Sequence, residues 1–240
     1  MNYNNIWITS DLHLGHGNIM KYCSRTLFMT DEDRKVFEQL EPNTKEYKKF
    51  RLSIQSVQNM DRSLINNINS FVNENDLLIH LGDFAFVKNF DQLKKYRDQI
   101  FCKNIWHLWG NHDNRKNFLE DGIIFNRTFD SVFCYIFNYN EIYTERELQQ
   151  ENIKINKNKT TKIYLNHYAN IIWQDSHKGS YHFYGHSHGN FEEKRKQLIP
   201  TWKCMDIGVD CHNYTPVKID DACSKLDNWV ESQLNNISKE

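Results

Sequence analysis

The chain has 240 residues, 39% of them hydrophobic, and a formal net charge of -1. That is enough to bury a substantial core. Lys plus Arg number 30 against 31 Asp plus Glu, which excludes a global basic field that would draw nucleic acid irrespective of sequence. Only 9 Gly and 3 Pro are present and no Ser/Gly tract divides the chain, so one domain over residues 1–240 is expected. The six cysteines, Cys23, Cys102, Cys134, Cys204, Cys211 and Cys223, form no Cys-x-x-Cys pair. The amino terminus lacks the charged and apolar regions of a removable signal, and no apolar run approaches the roughly 18 residues that span a bilayer. Free thiols in a reducing cytoplasm, without a membrane partner, are the expectation.

In chain order, Ile6-Trp7-Ile8-Thr9 is a short β-branched run that predicts a buried strand ending at Asp11-Leu12-His13. The stretch 31–73 is polar and helix-compatible, and Val57, Met60, Leu64, Ile65, Ile68 and Phe71 recur at helical spacing, predicting a long helix on the sheet. A second strand, 76–81, stops at Gly82-Asp83. A helix over 90–99 precedes a third strand, 104–109, which stops at Gly110-Asn111-His112-Asp113. Strand and helix alternating in this way predict an α/β layered fold with parallel pairing in the first half.

The second half reads as mostly β with hairpins, over 129–139, 161–166, 181–184 and 204–209. His167 follows one of these strands and Gly185-His186-Ser187-His188 another. The polar stretch 143–159 predicts a solvent-exposed excursion, and 30–50 a further long segment over the surface. Leu226, Trp229, Val230 and Leu234, behind Asp220 and Asp221, predict a closing helix over 220–235.

Five clusters of oxygen and nitrogen donors thus sit at predicted strand ends. Two divalent cations sharing a bridging carboxylate would use such a set, and Asp83 is the natural bridge. In an extended strand or a tight loop residues i and i+2 project to one side, so Asp11/His13 and His186/His188 would each point two donors into one cavity. The mixed donors suit Mn, Fe, Zn or Ni, with Mn the first choice, better than Ca. His80 and His107 lie inside strands and read as core residues.

The order Asp11-x-His13, Gly82-Asp83, Gly110-Asn111-His112-Asp113, His167, Gly185-His186-x-His188 resembles the calcineurin-like metallophosphoesterase superfamily, pattern DxH, GD, GNH[DE], H, GHxH. The likeness is greatest to its small bacterial and phage members, through Asp11-Leu-His-Leu-Gly-His16-Gly-Asn18-Ile and the closing Ile207-Gly-Val-Asp210 with Tyr214-Thr-Pro216. The resemblance implies two β-sheets sandwiched between helices, an αββα four-layer sandwich. It implies one metal held by Asp11, His13, Asp83 and His188, and a second by Asp83, Asn111, His167 and His186. It makes His112 the acid that protonates the leaving oxygen, with Asp113 orienting it or stabilising the turn. His16, Asn18 and Arg25 become candidate substrate contacts, Arg25 through a phosphate oxygen.

The expected activity is hydrolysis of a phosphodiester or phosphomonoester, on a small nucleotide-like substrate, by hydroxide at a dinuclear centre. A nuclease or DNA-end processing enzyme is the alternative, and a catalytically inactive scaffold of the same fold the remote one.

Overall fold

The computed structural model describes residues 1–116, 124–156 and 159–237. Its strands are β1 (Ile6–Thr9), β2 (Leu77–His80), β3 (Asn104–Leu108), β4 (Arg127–Phe129), β5 (Ser131–Phe137), β6 (Glu141–Thr144), β7 (Thr160–Asn166), β8 (Tyr181–Tyr184), β9 (Cys204–Asp206) and β10 (Val217–Lys218). They form two five-stranded sheets, ordered β10-β1-β2-β3-β4 and β6-β5-β7-β8-β9. In the first, β1 to β4 are parallel and β10 closes the edge antiparallel. In the second, β5 runs antiparallel to β6 and β7, but β7, β8 and β9 are parallel. The expectation of hairpins therefore holds for β5 and β6 and fails beyond β7, where crossovers bring strand ends to one side. That side carries the donors: each of the five clusters follows the carboxyl end of β1, β2, β3, β7 or β8, where ligands bind in open α/β sheets.

Alternation along the strands builds the layers. Ile6, Ile8, Leu77, Ile79, Trp106 and Leu108 face the second sheet and meet Cys134, Ile136, Ile163, Leu165 and Phe183. The opposite face of the first sheet, with Leu78 and Ile105, takes Met60, Leu64, Ile65 and Ile68 of α4 (Ile54–Phe71). On the outer face of the second sheet, Phe133 and Tyr135 pack on Leu148 of α6 (Glu145–Gln150). The result is the expected α/β sandwich of two sheets between helices.

The segment 31–73 holds the expected long helix as α4, preceded by two short ones, α2 (Asp31–Phe37) and α3 (Lys45–Lys49), each of the three begun by a Thr or Ser side chain that accepts a first-turn N–H. Phe71, assigned to the apolar face of α4, is 46% exposed and lies against Trp7. Residues 143–159, expected as an excursion, begin as edge strand β6 and continue into α6 through a Thr144/Glu147 capping box; residues 157 and 158 of that stretch lie outside the described residues. The closing helix, α8, spans Ile219–Ile237. Further α-helices among the described residues are α1 (Gly17–Tyr22), α5 (Phe90–Arg97) and α7 (Glu192–Leu198). All six cysteines are unpaired thiols. Among the described residues no helix is long and apolar enough to cross a membrane.

His182 in β8 is fully buried; its Nε2 accepts the Asn170 N–H at 3.0 Å and its Nδ1 lies 3.2 Å from the Tyr164 carbonyl. Only a neutral ring satisfies both. Burial pushes this imidazole down to about 4 from its ordinary 6.5. A depressed folded-state value means the folded protein excludes the proton, so the stability is present above pH 6.5 and lost as pH falls toward 4. Urea unfolding should show the midpoint falling over that window, with a shallower fall in His182→Gln; equal slopes in both proteins would contradict the assignment.

Candidate metal centre

Loops from both sheets converge where the strands end, and they are tied backbone to backbone. Asp11 N–H donates to Gly82 O at 3.0 Å, His13 N–H to Asp83 O at 2.9 Å, and Gly185 N–H to His167 O at 3.0 Å. Pinned in this way, Asp11, His13, Asp83, His186 and His188 all adopt left-handed backbone, with φ between +47° and +67°. Such a conformation costs a non-glycine residue about 1 kcal/mol or more. This is the tight-loop form of the i, i+2 arrangement expected from the sequence: Leu12 turns into the core between Asp11 and His13.

The loops of the two sheets meet at Asp11. Its carboxylate accepts the His186 N–H, at 3.1 and 2.9 Å from its two oxygens. A Cβ on Gly185 would overlap Ser10 Oγ and that same carboxylate, so the approach of the two loops requires glycine there.

The remaining donors gather around Asp83. Its Oδ2 lies 3.5 Å from His13 Nε2 and 3.5 Å from His167 Nε2, while its Oδ1 accepts the His112 N–H at 2.8 Å. His167 Nε2 is 3.1 Å from Asn111 Oδ1. His13 Nε2 is also 3.9 Å from Asp11 Oδ1. Asp11, His13 and His188 form one group whose ligand atoms lie within 4.8 Å of one another, and Asp83, His167 and His186 form another. The structure thus brings together all seven residues expected around the metals.

The donor chemistry fits cations. His13 Nε2 is buried without a hydrogen-bond partner, an unfavourable state for a polar atom unless something else is its partner. Its 3.5 Å spacing from Asp83 Oδ2 matches the roughly 3–3.6 Å separating two ligands of one ion when each bond is about 2.1 Å. Burial holds the His13 imidazole far below its ordinary range, so the ring is neutral, as a ligand must be. Burial also pushes the Asp11 carboxyl up to about 7, the reverse of what a bound cation would do.

Groups behind the donors orient them. His167 Nδ1 lies 2.8 Å from the Leu81 carbonyl and His188 Nδ1 2.6 Å from Asp210 Oδ2, so each ring is held through one nitrogen with the other left for a cation. Burial alone would depress His188, but the hydrogen bonds to Asp210 and Cys23 and the nearby Asp11 carboxylate together outweigh it and carry the ring up to about 10. Cys23, His188 and Asp210 form a third group of potential ligand atoms, on the far side of His188.

Several expected residues have other roles. Arg25 is wholly buried; its guanidinium pairs with both oxygens of Asp210 at 2.8 and 2.7 Å and donates to the carbonyls of Asp11 and Leu12. It therefore faces the protein interior instead of a phosphate. Asp113 does not reach His112: its Oδ2 accepts the N–H groups of Asp83 and Gly110, its Oδ1 that of Phe84, and Oδ2 lies 3.0 Å from His107 Nε2. These contacts stabilise the turn, and with His107 and the backbone as partners Asp113 is held well below the usual carboxylate range despite burial. His107 is thus a core residue with a definite task, and His80 stacks on it. His16 occupies the N-cap position of α1 but caps nothing; its Nδ1 is 3.4 Å from His13 Nδ1 and its ring stacks on Phe86. Asn18 is half-buried in the first turn of α1.

Sequence reading missed three residues at the site. Asp210 stood only as part of a closing segment; the exposed rings of Phe86 and Tyr168 carried no signal beyond following Gly82-Asp83 and His167. Phe86 lies on the His16 side, and Tyr168 packs edge-on to His167 and His186. Removing the guanidinium in Arg25→Ala leaves Asp210 and two carbonyls buried without it. The expected cost is about 3–5 kcal/mol in urea unfolding; a loss below about 1 kcal/mol would show the pair to be dispensable.

The chain is similar over 228 residues to an uncharacterized protein of Methanocaldococcus jannaschii, at 25% identity, covering 92% of this chain and 90% of the relative. Its fold is similar to the crystal structure of a protein of unknown function from Aquifex aeolicus, with a TM-score of 0.53 and 17% identity over 90% of this chain and 96% of the other. That likeness speaks to fold alone. The sequence pattern of calcineurin-like phosphoesterases matches residues 5–194, the span that contains every donor around Asp83, and the chain belongs to that family of metal-dependent hydrolases acting on phosphoester bonds.

Proposed function

We propose that the chain hydrolyses a phosphodiester or phosphomonoester of a small nucleotide-like substrate at two divalent cations bridged by Asp83. One observation carries the dinuclear reading: a single oxygen, Asp83 Oδ2, stands 3.5 Å from both His13 Nε2 and His167 Nε2, the relation expected of a shared ligand between two sites. Asp11, His13 and His188 would complete one site, and Asn111, His167 and His186 the other. Neutral imidazoles and carboxylates in this proportion suit Mn, Fe, Zn or Ni. The bound ions would supply a nucleophile from water near neutral pH and neutralise phosphate charge.

His112 is the candidate acid. Its backbone is fixed by the Asp83 carboxylate, its ring is exposed, and it stands edge-on to His13 at 5.3 Å between centroids. An imidazole held over the donors and open to solvent can give a proton to a leaving oxygen. Asp113 supports that position indirectly, by fixing the turn between Gly110 and Asp83. The exposed aromatic faces of Phe86 and Tyr168 on either side of the donors support a substrate with a flat, base-like group.

With Mn or Ni added, the protein should turn over bis(p-nitrophenyl) phosphate or p-nitrophenyl phosphate. Asp83→Asn should fall to background and bind less metal, whereas His112→Ala should keep its metal and lose about 10²–10⁴-fold in kcat. Absence of turnover with either metal, or a His112→Ala protein as fast as the parent, would sink the assignment.

A further inference from the structure

We infer that the groove between α4 and α5 is the subsite for the portion of the substrate beyond the scissile phosphorus, and that it is built for a nucleoside carrying a further phosphate. The inference rests on the phosphoesterase reading of the neighbouring donors and narrows it toward nucleotide esters, because a small ester without a nucleoside would leave the groove empty.

The groove has a volume of about 560 Å³, within the range of small-molecule sites. Arg62 lines it from α4, Lys95 and Tyr96 line it from α5, and Gly15 and Phe86 form the end nearest the donors. That end is continuous with the candidate acid. Phe86 stacks on His16 at 4.6 Å and 17°, and His16 lies 5.8 Å from His112. Gly15 makes the shared wall possible. Its φ is +78°, and a Cβ there would press on Tyr96 Oη and the Phe86 carbonyl, so the loop that carries His16 can lie directly against the floor.

The chemistry of the lining selects the ligand. Phe86 is 56% exposed although one face is covered by His16, which leaves aromatic surface on which a base can stack. Asp61, the acidic residue of the lining, is committed to the floor: it accepts the Gly15 N–H at 2.9 Å and the Tyr96 hydroxyl at 2.8 Å. Arg62 and Lys95 are both exposed, and neither forms an ion pair among the described residues; the neighbouring Lys94, by contrast, is paired with Asp98. Two unpaired cations beyond an aromatic platform, next to a phosphoester site, match a base followed by a second anionic group.

Calorimetry on the Mn-loaded protein, with thymidine 3′,5′-bisphosphate and orthophosphate as probes, tests this directly. The bisphosphate should bind at least about tenfold tighter than orthophosphate. That advantage should fall about tenfold in Arg62→Ala/Lys95→Ala and in Phe86→Ala, and Lys94→Ala should leave it unchanged. Equal binding of the two probes, or an advantage that survives in both groove variants, would overturn the proposal. So would a single-stranded 12-mer that displaces the bisphosphate at far lower concentration, since the groove would then serve a nucleic-acid strand. Turnover of bis(p-nitrophenyl) phosphate reads the donors separately. Its loss with groove binding intact would remove the hydrolase reading, and its presence without groove-dependent binding would remove this one.

Discussion

The structure depends on burying two carboxylates, Asp11 and Asp83, among imidazoles at the place where two sheets end together. Neither has a Lys or Arg partner among the described residues: Asp11 accepts backbone N–H groups of the second sheet's loop, and Asp83 accepts one from the His112 turn. Hydrogen bonds of this kind position a carboxylate, but they supply little of the charge compensation that burial demands. Cations bound between the rings would complete the electrostatics. Left-handed backbone at five of the donors adds to the cost, and the cross-loop hydrogen bonds hold the donors in place against it.

Around that centre the fold uses charged residues as struts. Arg25 joins the carbonyls behind Asp11 and Leu12 to Asp210, which in turn holds His188. Asp113 gathers three N–H groups and His107 to fix the turn beside Asp83. Both struts are fully or nearly buried, and each bonds directly to the backbone of a donor, Arg25 to Asp11 and Asp113 to Asp83. They explain how loops after five different strands reach a common point with ligand spacings near 3.5 Å.

Much of this could be read in the sequence. The apolar runs before Asp11, Asp83 and Asn111 gave three parallel strands, and the helical spacing of Met60, Leu64, Ile65 and Ile68 gave α4. The donors were legible because short motifs concentrate rare combinations of His, Asp and Asn at strand ends. What stayed hidden depends on distant pairing or on backbone state. Arg25 meets Asp210 across 185 positions, so an arginine near the opening motif reads as a substrate contact until the fold is seen. The parallel order of β7, β8 and β9 leaves no local trace, since short apolar and β-branched runs look alike whichever way they pair. The left-handed donors were unreadable because nothing about Asp or His announces positive φ in the way glycine does. In segment 143–159 a polar composition conceals an edge strand and a capped helix, both of which tolerate polar residues.

The substrate question moves from the donors to their surroundings, to Phe86, Tyr168 and the groove toward Lys95, where the chain has side chains that the chemistry of phosphoester cleavage does not itself require. The dinuclear bridge is the central claim, and anomalous diffraction at the manganese edge from Mn-soaked crystals measures it most directly. The expected result is two peaks on either side of Asp83 Oδ2, one among Asp11, His13 and His188 and the other among Asn111, His167 and His186. A single peak, or density among Cys23, His188 and Asp210 in place of the bridge, would contradict it.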